Sequence, residues 1–275
     1  MFADILYPDN PKRREQVRQK TAEARLAFIT FNHDWNRYVD YFTQMVNQVV
    51  NQEEIPLPTG FKLDKVDLNP DKETIESMVN KINEVIEKAK SQIFQFNQGV
   101  SQTLDAKQAA EFGKLTDFDN VGKLEKGFEI GIPTTIGSGI AIYLGVQMVQ
   151  GWIALAANGI ALSAGVIAMG ALGAGILSAF GLIVSDFIVS IFTGLSEKKK
   201  LEQALKDLRA LDEQVVTPLN YMNAEIAGET SAIISGVYRV AENTLLIRRS
   251  DDTWVAMPLA ASAEANHQKF LTLVA

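Results

Sequence analysis

The chain has 275 residues, 33 acidic against 26 basic side chains, a formal net charge of −7 and no cysteine. Without cysteine there are no disulfides, zinc thiolate sites or thiol nucleophiles, and an acidic chain with no long basic stripe argues against nucleic acid as a partner. Hydrophobic residues make up 47%, an ordinary globular share, but they are spread unevenly, since residues 130–185 contain no Asp, Glu, Lys or Arg.

The N-terminal stretch MFADILYPDNPKRR has no basic segment followed by an apolar one. It does not read as a secretory signal peptide, so any export is expected to proceed without a conventional cleaved leader, or with the leader already removed. Asn10 is placed to cap a first helix, and Pro11 suits its first position, where a missing N–H costs nothing. From there Val17, Thr21, Ala24, Phe28, Phe31, Trp35, Tyr38, Phe42, Met45 and Val49 recur at alternating spacings of four and three. That is a heptad seam with charges off it. A helix over 10–52 would be about 60 Å long and needs equally long partners to cover its seam.

Pro56, Pro58 and Gly60 mark a loop. Asn69-Pro70 predicts the start of a second helix over 70–111, with the seam Ile75, Val79, Ile82, Ile86, Ala89, Ile93, Phe96 and Val100. Two such seams predict an elongated antiparallel bundle. A Gly-containing connector then leads into the apolar block.

A bilayer core takes about 20 apolar residues per helix, so the block has room for two spans and a turn. Asn-Gly tolerates left-handed backbone, which puts the expected turn at residues 156–159, between spans over 136–155 and 160–180. Small residues fall four apart in each: Gly137, Ala141 and Gly145 in the first, Ala164 and Ala168, then Ala171, Gly175 and Ala179 in the second. Such rows let helix backbones approach closely in lipid. Candidate membrane-insertion residues are Ile136, Gly137, Ala141, Gly145, Trp152, Leu155, Asn158, Gly159, Ile160, Ala164, Gly170, Gly175, Ala179 and Phe180. Trp152 is open to two readings, an interfacial anchor or a packed aromatic. Lysines flank the block on both sides and the expected tip has none, so both ends should stay on one side of a bilayer. Charging Ala156 and Ala157 is then expected to block insertion. The alternative is a buried helix pair, since a helix apolar all round also suits a bundle core.

Ser196 is placed to cap a third helix, with the seam Leu201, Leu205, Leu208, then Leu211 or Asp212, then Val215, Leu219, Met222 and Ile226, and Pro218 should kink it. NTLLIRRSDDTWVAM predicts a short hairpin around Ser250-Asp251-Asp252, followed by a short Ala-rich helix. The expected fold is therefore mostly all-α: an elongated antiparallel helical bundle (1–129 and 193–275) with a hydrophobic helical hairpin head (130–192) and a C-terminal β-hairpin.

Long amphipathic helices flanking one Gly/Ala-rich hairpin, with the composition GVIAMGALGAGILSAFG, resemble the α-helical pore-forming toxins of the cytolysin A, haemolysin BL and non-haemolytic enterotoxin type. The resemblance covers helices 10–52 and 70–111, the hairpin 130–192 and the helix from 196. It implies a soluble monomer whose hairpin is folded away, extends into a target-cell bilayer and assembles into a homo-oligomer or with other toxin components. It also implies a cytoplasmic protein that is secreted and then membrane-bound. The aromatic seam Phe28, Phe31, Trp35, Tyr38 and Phe42 is a candidate for part of the cover of the hairpin in water; with Ile82, Ile86 and Ile93 of the second helix it makes up the bundle seam.

The motifs GxxxxGK[ST], GxSxG and HExxH are missing. No cofactor, metal site or enzymatic activity is expected. His33 reads as a surface histidine or an acid sensor, and Glu53-Glu54 and Asp251-Asp252 read as solvated turns. Two other readings remain: a permanent two-span membrane protein with coiled-coil domains, and a soluble helical-bundle interaction protein.

Overall fold

In the computed structural model, residues 8–118, 139–172, 195–241 and 243–274 are described. Asn10 and Pro11 open a helix that runs without a break to Gln52 (α1, Asn10–Gln52). No glycine or proline falls within 12–52 to interrupt it. Its seam is its buried stripe, with Phe28 and Phe31 wholly shielded and only Tyr38 half-buried.

The second helix starts later than Asn69-Pro70 predicts (α2, Ile75–Gln102). Asn69 closes a separate turn, its carbonyl accepting from the Lys72 and Glu73 amides at 3.0 and 2.9 Å. Thr74 is the true cap, its hydroxyl accepting from the Ser77 amide at 3.1 Å. Nor does α2 run on to residue 111. Asp105 caps a new helix (α3, Ala106–Leu115) in a reciprocal capping box with Gln108. A box that satisfies orphan amides at one point starts a helix there rather than continuing the last. All eight residues of the α2 seam are buried.

The apolar block gives one helix of 33 residues (α4, Ile140–Leu172). The turn expected at 156–159 does not exist. Asn158 and Gly159 are helical, because one Gly costs only about 1 kcal/mol and the helix recovers that by burying Gly159 and Leu162. Ile136 and Gly137 of the expected first span, and Gly175, Ala179 and Phe180 of the second, lie outside the described residues. So does any turn between 173 and 194.

The third amphipathic segment is interrupted where its seam was ambiguous. An α-helix (α5, Leu195–Leu211) passes into one π turn (Asp212–Val216) and then into α6 (Thr217–Ile234). With Leu211 the seam spacings from 205 to 219 read three, three, four, four in place of a regular alternation, and the π turn lies over the two fours. Leu211, not Asp212, is the buried member. Gly236, at φ +74°, ends α6.

An antiparallel sheet follows in the order β1 (Val237–Ala241), β2 (Thr244–Arg248), β3 (Trp254–Pro258). The β2–β3 hairpin is the predicted one, with Arg248 opposite Trp254. Asp251 Oδ1 accepts from the Thr253 amide and hydroxyl at 3.1 and 2.6 Å, and Asp252 takes φ 61°. Strand β1 had not been predicted. The predicted C-terminal helix is α7 (Ala263–Val274). The fold is thus mostly α with one small sheet.

The chain divides into two compact units. The first holds residues up to Trp35, Val66–Glu84 and Asn158–Ala224. Its core joins Phe28, Phe31 and Trp35 with Ile75, Met78, Ile82, Leu211, Val215 and Leu219. Asn223 Nδ2 donates to the Ala27 carbonyl at 3.0 Å, and Lys20 pairs with Asp212 at 3.1 Å.

The second unit holds Asn36–Lys65, Val85–Ala157 and Glu225–Ala275. Phe42 lies against Tyr38, Phe61 and Tyr238, and Phe61 meets Phe96 edge-on. The stretch read as a plain loop is extended chain, pinned where Asn47 accepts from the Phe61 amide at 2.8 Å and donates to its carbonyl at 2.7 Å. That places Phe61 and Leu63 in the core. The sheet docks through Trp254, whose indole N–H donates to Gln48 at 2.9 Å.

Candidate functional site

Helix α4 is the element that sequence analysis singled out, and its surroundings are built from ordinary bundle residues. Its start is capped from outside: the Glu53 carboxylate accepts from the amides of Ile140 and Ala141. Burial still pushes the Glu53 carboxyl above its usual value, despite those bonds. Glu53 is therefore a helix cap and not the solvated turn residue expected.

Within the second unit, α4 approaches α2 and α3 closely at Gly145. A Cβ there would lie 2.8 Å from the Phe112 ring and closer still to Asn97. Asn97 is buried, and neither polar atom of its side chain has a hydrogen-bond partner. Two turns on, Trp152 is buried. Its indole N–H donates to the Ile86 carbonyl at 3.2 Å, its ring meets Phe118 edge-on, and Lys90 Nζ lies 4.8 Å over its face.

On another side of α4, Gln147 Nε2 donates to Glu229 Oε1 at 3.3 Å, and the Tyr238 hydroxyl donates to Glu229 Oε2. Burial raises the Glu229 carboxyl above its usual value and the neighbouring Glu225 charge adds to this, while the Tyr238 and Gln147 bonds pull the other way. Tyr38 and Tyr238 are pushed well above the usual phenol value, first by burial and then by the Glu229 carboxylate.

Within the first unit, Ser163 accepts from Asn83 Nδ2 at 2.7 Å. Gly165 lies so close to the Gln214 backbone that no side chain fits. The opposite side of this part of α4 is open: Ile160 and Ile167 are 66% and 74% exposed, with Ala161 and Ala164 exposed between them. These four positions form one apolar stripe facing water.

Comparison of the chain with protein-family models, curated proteins and solved structures finds no match.

The candidate insertion residues fall into distinct settings. Ala141, Gly145 and Trp152 are buried in the second unit, Leu155 half-buried. Asn158 is half-buried, Gly159 buried and Ile160 and Ala164 exposed in the first unit, and Gly170 lies near the end of α4. Contacts on α4 come from α2, α3 and α6, from residues 53 and 118, and from the carbonyl of Gln214; among the seam residues, Ile86 bonds to it through its carbonyl. His33 is exposed and contacts Asp34 at 2.9 Å. Among the described residues no three His, Asp or Glu side chains gather as for a metal ion.

Sequence reasoning missed Asn97 and Glu229. The signal for Glu229 was present: AEIAGETSAII sets two glutamates four apart in an otherwise small and apolar stretch. Asn97 gave no signal, since an Asn beside a seam position looks like any flanking polar residue.

Proposed function

We propose that this is a non-enzymatic, membrane-active protein, a pore-forming cytolysin or one component of such a toxin, with α4 as its membrane-inserting element. The observation that carries the reading is α4 itself. It is a helix of 33 residues without a charge, and among the described residues it is the one helix long and apolar enough to cross a membrane. At about 1.5 Å per residue it is about 50 Å long, more than the roughly 30 Å of a bilayer core. It also keeps an apolar stripe, Ile160 to Ile167, in contact with water.

On this reading the soluble protein is secreted, meets a target-cell bilayer and inserts α4 as it assembles into a homo-oligomer or with partner components. The glycine contacts at Gly145 and Gly165 hold the helix by close packing. A bilayer removes the same surface from water, so the two states lie close in free energy.

The test uses Ile160→Asp with Ile167→Asp. Both positions are exposed, so the water-soluble fold should tolerate the change. In a bilayer core each charge costs about 2.5–3.5 kcal/mol. Wild-type protein purified without detergent should release dye from liposomes and the variant should not. Equal release by both would overturn the reading. Ala156, expected from sequence to be a tip residue, is a poorer test site because it is buried and a charge there would damage the soluble packing.

A second reading has its own support. Every residue from 140 to 153 is buried or half-buried, as in the core helix of a soluble interaction protein. That protein would be indifferent to lipid. A permanent membrane protein would not purify without detergent.

A further inference from the structure

We infer that the Gln147–Glu229–Tyr238 contact is a proton-operated latch on α4: with a proton on Glu229 the helix stays packed, and ionisation of Glu229 as pH rises favours its release. The inference rests on α4 being the element that leaves the bundle.

Glu229 sits where three elements of the second unit meet. From α4, Gln147 donates to one carboxyl oxygen; from β1, Tyr238 donates to the other. From α1 the Tyr38 phenol is close enough to feel the charge, and from its own helix Glu225, one turn back, repels it. No Lys, Arg or His lies within ion-pairing distance of Glu229 among the described residues. Among the described residues the carboxylate thus has two neutral donors, a second carboxylate and no cation. Burying a charge without a counter-charge costs more than two neutral donors return.

When α4 withdraws, Gln147 goes with it and Glu229 meets water. Its proton affinity then returns to that of an ordinary glutamate, near 4.5. The packed state therefore binds the proton more tightly than the open one. By linkage, packing is favoured at and below pH 4.5 and loses that support as pH rises through the higher value of the packed state. Acid closes the latch and neutral pH loosens it. The neighbouring Glu225 reinforces this sign, since burial raises its carboxyl as well.

The experiment compares wild type with Glu229→Gln, which is neutral at every pH, on dye-loaded vesicles of zwitterionic phosphatidylcholine between pH about 7.5 and about 5. Wild-type release should slow on acidification, by up to about tenfold for each unit separating the two proton affinities. Glu229→Gln should be slow throughout, with the step gone. Its melting temperature should exceed that of wild type at the higher pH and match it at the lower. A variant that releases dye with the wild-type pH profile, or wild-type release that accelerates on acidification, overturns the latch. Should neither protein act on vesicles at any pH, the membrane reading fails, and the two melting curves still decide the latch: an equal difference at both pH values overturns it. If Glu229→Gln does not fold, Gln147→Leu removes one donor and should move the step to higher pH; an unmoved step overturns the latch as well.

Discussion

Gly165 of α4 lies directly against the backbone of Gln214, where a Cβ would come within 2.9 Å of the Gln214 carbonyl carbon. Pro218, four residues beyond Gln214, has no N–H to return to that carbonyl. The π turn at Asp212–Val216 lies in the same stretch, with the Thr217 amide reaching five residues back to Asp212. A proline that disturbs one helix thus coincides with a glycine that lets another approach it.

Gly165→Val should therefore destabilise the protein by about 1–3 kcal/mol, the usual cost of overpacking a tight contact. Gly151, also in α4, has nothing within 4 Å of its Cβ position. Gly151→Ala should instead stabilise by about 0.5–1 kcal/mol, because alanine is the better helix former. Urea unfolding midpoints of the two variants should move in opposite directions.

Asn97 is buried with both ends of its amide unsatisfied. Asn97→Leu, similar in volume, should stabilise by about 1–3 kcal/mol by removing a desolvated polar group. If α4 is the inserting element, the same change should slow vesicle release, since α4 packs on Asn97 at Gly145. Denaturant titration and dye release check the two halves separately.

Glu73 gives the opposite pH dependence from Glu229. Desolvation, the largest single influence, raises its carboxyl, but Lys81, the Asn69 amide and the Ser77 hydroxyl together outweigh it and hold it below 4.5. Its contribution is present above pH 4.5 and is lost as pH falls through the lowered value. Glu73→Gln should lower the melting temperature at neutral pH and flatten its decline in acid. Melting curves across that range, beside wild type, make the comparison.

Trp254 ties β3 to the end of α1. Its backbone exchanges hydrogen bonds with Gln52 at 2.8 and 3.2 Å and its indole donates to Gln48. Trp254→Ala should cost about 3–5 kcal/mol. Trp254→Phe keeps the ring and loses the indole bond, and should cost about 1 kcal/mol for that bond. Thermal unfolding followed by circular dichroism distinguishes them.

Glu53→Ala should cost about 1 kcal/mol, since it takes away the acceptor of the Ile140 and Ala141 amides. Glu53→Gln keeps an acceptor there and should cost less. Amide hydrogen exchange at the start of α4 is the direct readout.

The seams were legible because a helix repeats its buried face every three or four residues whatever it packs on. That period alone located α1, most of α2, and α5 with α6, and the S-D-D turn located the hairpin by its local hydrogen bonds. Even the π turn left a trace, as two successive fours and a proline. Tertiary structure decided what local chemistry leaves balanced. Asn158-Gly159 is an acceptable turn and a tolerable helix, and burial of Gly159, Ala156 and Leu162 chose the helix. Whether Glu53 was a turn acid or a cap, and whether Glu229 was a surface glutamate or a buried one, depended on residues more than 80 positions away. A carboxylate's proton affinity is set by the water it loses and the charges it meets; Glu225, four residues back, is legible along the chain, but the burial is not.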